Sequence, residues 1–410
     1  MTPNRGVVAM CAAQGCAQIG AFSVAALLPA LIAAWSLSHT QAGWLGGIYY
    51  AAYTLAVPLL SSLTDRVDAK RIYLASVALT AVAFAGFAWA ATGFWSALAF
   101  RALMGVGWAG SYMPGLKALS DLVEGPRQSR AVAAHAAAVG ISGALSFGVA
   151  GAVHAWLGWR WALVPGALGA GLAFGLVLLG LPSRPPRPAT ASPGALLDFR
   201  PVLRNRSALA YSLAYCVHTW EMSALRAWVV TFLAFAAAQG AGSWTPLAPT
   251  TVASVMGLLG VWASVWGNEM AIRFGRRRFV LGTMLASAAM AGVIGFGAAL
   301  PYAGTAALVL VYAMLIWSDS SSLTAGSAGS AEPGRRGATL AVHSTLGYAG
   351  GFLGPLALGA TLDLLGGASV VGWGMAFGHV TVAVLLGALA FVWLRPADLA
   401  GDRSAATTRA

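Results

Sequence analysis

The sequence predicts an all-α integral membrane protein of about twelve transmembrane helices in two pseudo-symmetric six-helix bundles. Three observations carry that expectation: a composition too apolar for a wetted surface, a succession of apolar runs of bilayer length, and a repeat at half the chain. Of 410 residues, 59% are apolar and 9% charged, and the mean hydropathy is +0.75. A soluble domain carries about 25% charged residues. So few charges cannot cover a chain of this length in water, so most of its surface is expected to face lipid.

A hydrocarbon core about 30 Å thick is crossed by about 20 apolar residues in a helix. On that measure the candidate spans run near 8–35, 40–62, 72–92, 94–118, 131–157 and 159–181 in the first half. In the second half they run near 207–236, 249–271, 279–300, 303–324, 339–364 and 371–394. The first run lies close to Met1 and is too long for a signal-peptide core, so it is expected to be retained. The Pro-rich stretch PSRPPRP and the mixed segment after it read as a linker. This gives a bundle over 1–181, a cytoplasmic linker over 182–206, a second bundle over 207–394 and a cytoplasmic tail over 395–410.

The formal net charge of +12 would raise nucleic acid as a partner in a soluble protein. Here the cations sit in short loops between apolar runs, so the lipid bilayer is the expected partner and nucleic acid is not. Arg66, Lys70, Arg71, Arg127, Arg130, Arg184, Arg187, Arg273 and the Arg276–Arg278 run fall on one side, with Arg335, Arg336, Arg403 and Arg409. The opposite side receives Arg160 alone. The positive-inside rule therefore puts both termini in the cytoplasm. Arginine far outnumbers lysine (Lys70 and Lys117 only), and with the heavy Ala and Gly usage this suggests a bacterial cytoplasmic membrane. Cys11, Cys16 and Cys216 lie in apolar segments without metal-ligand spacing and read as packing residues, so no metal or cofactor is expected.

The repeat is visible in two places. SSLTDRVDAKR from Ser61 and NEMAIRFGRRR from Asn268 each follow the second span of their half. SRAVAAH ending at His135 and RRGATLAVH ending at His343 correspond at nearly the same offset. Parallel six-helix repeats place a substrate site between them near mid-membrane.

Asp65-Arg66 with Lys70 and Arg71 resemble the pattern G-x-x-x-D-R-x-G-R-R/K, with Ser61 and Asp68 in place of its glycines and the basic pair one position later. FRALMGVGWAG matches R-x-x-x-G-x-G and puts Arg101 inside the bilayer. On these motifs the chain resembles the major facilitator superfamily over essentially its whole length. The resemblance implies secondary transport by alternating access, normally as a monomer. It also implies that Asp65, Arg66, Lys70 and Arg71 latch the cytoplasmic ends of the two halves. The other reading of that loop is a plain positive-inside cluster.

A guanidinium at mid-membrane costs about 3 kcal/mol on insertion scales, so Arg101 should face the bundle interior, either in coupling or anion attraction or as a helix tie. Gly140, Gly143 and Gly148 in the fifth span are expected to let helices approach closely, as are Gly347, Gly351, Gly354 and Pro355 in the eleventh. The Gly-Pro pair of the family's drug antiporters occurs only in the second run.

The seventh span holds the densest polar group, YCVHTWEMSALRAW, with His218, Glu221 and Arg226. His218 and Glu221 share a helix face, and Arg226 lies about 80° from His218 and about 140° from Glu221 around the helix. An acid, an imidazole and a cation in one span are costly unless they line a wet path. Glu221 is the expected proton carrier, Arg226 a solute or counter-ion site, and Trp220 a cavity wall. Asp319, among hydroxyls in WSDSSSLT, reads as a proton site or an interhelical lock. His135, His154, His343 and His379 stand alone in their spans and read as interhelical donors.

The leading expectation is a proton-coupled secondary transporter for a small, organic or inorganic solute, with an anion permitted by the arginines. The alternative is efflux of drugs or metabolites. No nucleotide-binding loop appears, and no catalytic constellation points to an enzyme.

Overall fold

The computed structural model describes residues 3–184, 199–239, 247–400 and 402. Arg187, Arg403 and Arg409 lie outside these residues. All regular structure among the described residues is helical. Nine stretches among them are long and apolar enough to cross a membrane. Helices α4 (His39–Leu63), α6 (Phe94–Ser120) and α15 (Arg336–Leu364) are of comparable length and are not among those nine.

The chain divides into two compact units. One comprises Met1–Leu37, Trp44–Ala191 and Ala253–Leu258; the other comprises Ser38–Gly43, Ser192–Val252 and Leu259–Ala410.

In the first unit the opening span is built in pieces, as α1 (Pro3–Gln18), α2 (Ser23–Ala26) and α3 (Leu28–Trp35). It is followed by α4, α5 (Ala69–Ala90), α6, α7 (Pro126–Leu157) and α8 (Val164–Gly180). Buried Met10, Tyr73, Val77, Leu119, Ala173 and Val177 knit α1, α5, α6 and α8 together. Lipid tails are as apolar as leucine, so these helices associate through close packing rather than flight from water. The glycines after Arg101 serve that packing. Gly105 abuts the Tyr49 carbonyl, Gly107 the Thr80 hydroxyl and Gly110 the Ser76 side chain.

In the second unit, α9 (Arg200–Arg204) lies within the stretch expected as linker, and α10 (Arg206–Gln239) follows it. Then come α11 (Pro249–Phe274), α12 (Arg276–Ile294), α13 (Tyr302–Ser318), α14 (Ser320–Gly329), α15 and α16 (Val370–Leu394). Helix α10 packs most extensively against α15. Gly347, Gly350 and Gly354 of α15 meet the Tyr215 ring, the Cys216 carbonyl and the Trp220 carbonyl of α10. Gly351 is buried beside them. Pro355 sits inside α15, and its carbonyl accepts from Trp228 Nε1 at 2.9 Å. On the other flank of α10 the rings of Phe232, Trp373 and Phe377 form an aromatic cluster.

The segment after α16 does not trail away. The Tyr211 hydroxyl donates to the Ala397 carbonyl at 3.0 Å, and the Ala397 amide donates to Ser207 Oγ at 3.1 Å. The Arg277 amide donates to Asp398 Oδ1 at 2.7 Å. Arg276 grips Asp402 through two hydrogen bonds of 3.0 Å each, Nε to Oδ2 and Nη2 to Oδ1. The tail expected over 395–410 is thus anchored over its described part.

Candidate functional site

The tenth span is not one helix. It breaks at Asp319, where α13 ends and α14 begins, with φ −92° and ψ −10°. The run WSDSSSLT explains the break: short hydroxyl and carboxyl side chains compete with the helix for backbone groups. The Ser318 hydroxyl donates back to the Met314 carbonyl. Gly267 of α11 lies against the Ser318 carbonyl, a place no Cβ would fit. Broken helices at membrane depth persist where protein or a polar cavity replaces the lost backbone bonds.

Three titratable side chains converge on that break. His218 Nδ1 of α10 stands 2.8 Å from Asp319 Oδ1. The pair is close in distance but out of line for a hydrogen bond. Glu221, one turn along α10, accepts from Ser287 Oγ of α12 at 3.1 Å. Its carboxyl also faces Tyr312 of α13 and feels the charge of Asp319. His218, Glu221 and Asp319 are 3%, 3% and 4% exposed. Glu221 Oε1 has no hydrogen-bond partner among the described residues. Two acids and an imidazole at this depth are costly unless protons neutralise them.

The other expected residues of the seventh span point elsewhere. Trp220 donates its indole N–H to His379 Nε2 at 3.1 Å. Arg226 lies over the Trp317 ring at 5.1 Å from its centroid, a cation–π contact. The structure therefore brings His218, Glu221 and Asp319 together and gives Arg226 a neighbouring aromatic wall. Tyr312 and Ser287 were missed in the sequence. Each is one of several uncharged hydroxyl residues in its helix, beside Thr283 in α12 and Thr305 and Ser318 in α13, and only the helix register shows that it faces Glu221.

In the first unit, Arg101 is buried and its guanidinium stacks over Tyr49 at 4.1 Å. Its Nη2 donates to the Ala21 carbonyl at 3.1 Å. Tyr49 and Tyr53 in turn pack on Trp108, with ring centroids 5.0 and 4.1 Å away. The cation is thus held by a carbonyl and an aromatic face.

At the loop motif, Asp68 stands where the pattern has glycine and caps α5, accepting from the Lys70 amide at 2.9 Å. Lys70 Nζ donates to the carbonyls of Leu178 and Leu181 at 2.9 and 2.6 Å. It thereby serves the C-terminal end of α8, where a cation also suits the helix dipole. Asp65, Arg66 and Arg71 are exposed. Lys70→Met is expected to cost about 0.3–1 kcal/mol, read as a small fall in thermal midpoint, and Arg66→Ala none. Of the fifth-span glycines, Gly143 meets the Phe22 ring and Gly148 the Ser254 hydroxyl, while Gly140 is half-buried.

Among curated proteins, the chain is 28% identical over 222 residues to spinster homolog 3 of Danio rerio, a match spanning 52% of this chain and 44% of that protein. Among solved structures, a bacterial homolog of the human lysosomal transporter Spinster, in an inward-facing and unoccupied conformation, superposes with a TM-score of 0.78 at 16% identity, covering 96% of each chain. A variant of the nucleoside transporter NupG superposes with a TM-score of 0.78 at 14% identity, covering 95% of this chain and 100% of that one. At these identities the structural likeness establishes the shared fold. The family model described as Major Facilitator Superfamily matches residues 10–252. That match covers more than half the sequence, and the chain therefore belongs to the Major Facilitator Superfamily.

Proposed function

We propose that this chain is a proton-coupled secondary transporter that moves a small solute by alternating access across the bacterial cytoplasmic membrane, with both termini in the cytoplasm. The single observation that carries the coupling is the buried Glu221–His218–Asp319 group at the break in the tenth span. Ionised acids there would be uncompensated in a low-dielectric interior, so their charge must change with the conformational cycle. Glu221 carries the proton, His218 and Asp319 set its electrostatic surroundings, and Arg226 with Trp317 supplies a solute-facing wall. Arg101 supplies a second cationic point in the first unit. The motif residues Asp65, Arg66, Lys70 and Arg71 act in the cytoplasmic latch. The repeat supports two six-helix bundles, 1–181 and 207–394, as the moving bodies.

The solute class is sought first by thermal stability in detergent, because a ligand that binds only the folded state raises its stability. Small anions, carboxylates, sugars, lipophilic cations, uridine and a dipeptide are the probes, against wild type and Arg226→Ala. An anion-specific rise lost in Arg226→Ala supports the anion reading. A rise with lipophilic cations, indifferent to Arg226, moves the assignment to efflux of amphipathic compounds, which the aromatic surround of Arg101 also suits.

Glu221→Gln keeps the shape of the side chain and removes its proton chemistry. With the stabilising solute in proteoliposomes, accumulation driven by a pH gradient is expected to fall by about tenfold or more, while solute exchange at equal pH persists. Wild-type pH-driven accumulation in Glu221→Gln would remove it as carrier.

A further inference from the structure

The second unit buries a further imidazole that the site above leaves unused. His343 of α15 is 2% exposed. Its ring centre lies 4.1 Å from that of Tyr215, with the planes 15° apart. Tyr215 is also 5.6 Å from His218, again at 15°. Three rings from two helices are thus nearly parallel. Gly347 makes room for the middle one, since a Cβ there would overlap the Tyr215 ring.

The two ends of this array differ. At one end His218 Nδ1 meets Asp319 at 2.8 Å. At the other, His343 Nε2 lies 3.3 Å from Thr324 Oγ1, on an exposed position of α14. Between the ends, His218 Nε2 and His343 Nδ1 are buried with no hydrogen-bond partner among the described residues. An unpaired buried polar group costs about 1–3 kcal/mol, so two beside one ring is an expensive way to pack a seam that phenylalanine or leucine would fill. The same two nitrogens are what a proton path through imidazoles requires, each ring taking a proton on one nitrogen and releasing it from the other.

We propose that His343, Tyr215 and His218 form a proton path between the exposed flank of α14 at Thr324 and the buried acids Asp319 and Glu221. This rests on the reading of those acids as proton carriers. Going inward, His343 Nε2 takes a proton from water at Thr324 and Nδ1 gives one up. That proton crosses by the Tyr215 hydroxyl or a bridging water to His218 Nε2, and Nδ1 passes one to Asp319. One proton enters and one leaves every ring, so no net charge stays on the array. The titratable groups facing it are Tyr215, Cys216, His218 and Glu221 of α10, Tyr312 of α13, Asp319 at the break and His343 of α15, with the Ser287 hydroxyl of α12 alongside.

The test needs no solute, because deuterium oxide is the probe. Wild-type protein in phosphatidylcholine vesicles is transferred to D2O, and the infrared carboxylic band lost in Glu221→Gln or Asp319→Asn is followed in time. His343→Gln is expected to slow its isotope shift about tenfold or more with the folded state retained by thermal midpoint. A wild-type rate in folded His343→Gln overturns the path and leaves the proton-carrier reading of Glu221 standing. If His343→Gln does not fold, Thr324→Val at the exposed end is expected to slow the shift, and a wild-type rate there overturns the path equally. If neither acid gives a carboxylic band between about pH 4 and pH 9, there is no proton to deliver and both readings fall.

Discussion

Asp402→Ala is expected to give the largest stability loss of any single change on the Arg276 side of the second unit. Arg276 and Asp402 have side chains only 3% exposed each. The guanidinium has two bonds to the carboxylate, one to Asn268 Oδ1 at 3.0 Å and one to the Ser322 carbonyl at 3.3 Å. Removing the acid leaves a buried cation with neutral acceptors alone, which costs about 3–5 kcal/mol in comparable pairs. The thermal midpoint of the purified protein reads it out. Two controls separate the pair from general damage. Arg276→Met with Asp402→Leu should recover much of the loss, because neither charge is then stranded. Raising salt on the wild type should not reproduce it, because a buried pair is poorly screened. An unchanged midpoint in Asp402→Ala would mean that residues 395–402 are not held against the helix ends in the working protein.

This anchoring shows where the sequence stops being legible. The positive-inside count treats Arg276, Arg277 and Arg278 as one cytoplasmic cluster, and that is enough for orientation. Which of the three turns inward depends on the packing of α11, α12 and α14, and nothing in the run RRR records it. Residues 395–402 carry no helical or alternating apolar pattern, so composition reads them as tail. Their described residues dock by backbone bonds and two carboxylates, Asp398 and Asp402, which leave no periodic trace.

The buried acid site was more legible. Charged groups in an apolar span are rare enough to mark themselves, so His218, Glu221 and Asp319 are visible without coordinates. Even the break in the tenth span is foreshadowed by five polar residues in a row, Ser318 to Ser322. The partners are less visible. Helical geometry fixes angles around one axis only, so it puts Arg226 in reach of the same space as His218 but cannot foresee that Trp317 takes it. His343 reads as a lone histidine because its neighbour Tyr215 sits on another helix, brought over by Gly347. In the loop motif, the departure at Asp68 looks like a weakened turn and is a helix cap instead.

The seam that carries the site yields the second large prediction. Gly350→Leu is expected to abolish accumulation of folded, monodisperse protein, and Gly350→Ala to lower its thermal midpoint. A Cβ at Gly350 would overlap the Cys216 carbonyl and come to 2.8 Å from Thr219 Oγ1. Backbone cannot rotate aside as a side chain does, so α10 and α15 must separate. Overpacking of this kind costs about 1–3 kcal/mol for small insertions and more for a branched side chain. Gly378 of α16 provides the matched control, since a Cβ there meets nothing within 4 Å. Both glycines are inside helices, so both alanines bring the same gain in helix propensity, about 0.5–1 kcal/mol. Gly378→Ala should therefore hold or raise the midpoint while Gly350→Ala lowers it, and the difference between them measures contact rather than propensity. His218 and Glu221 lie on α10 within two turns of that contact, so a folded Gly350→Ala should also shift the infrared carboxylic band assigned to Glu221. Equal midpoints for the two alanine variants would mean that the helices do not approach this closely, and the site built across them would lose its geometric basis.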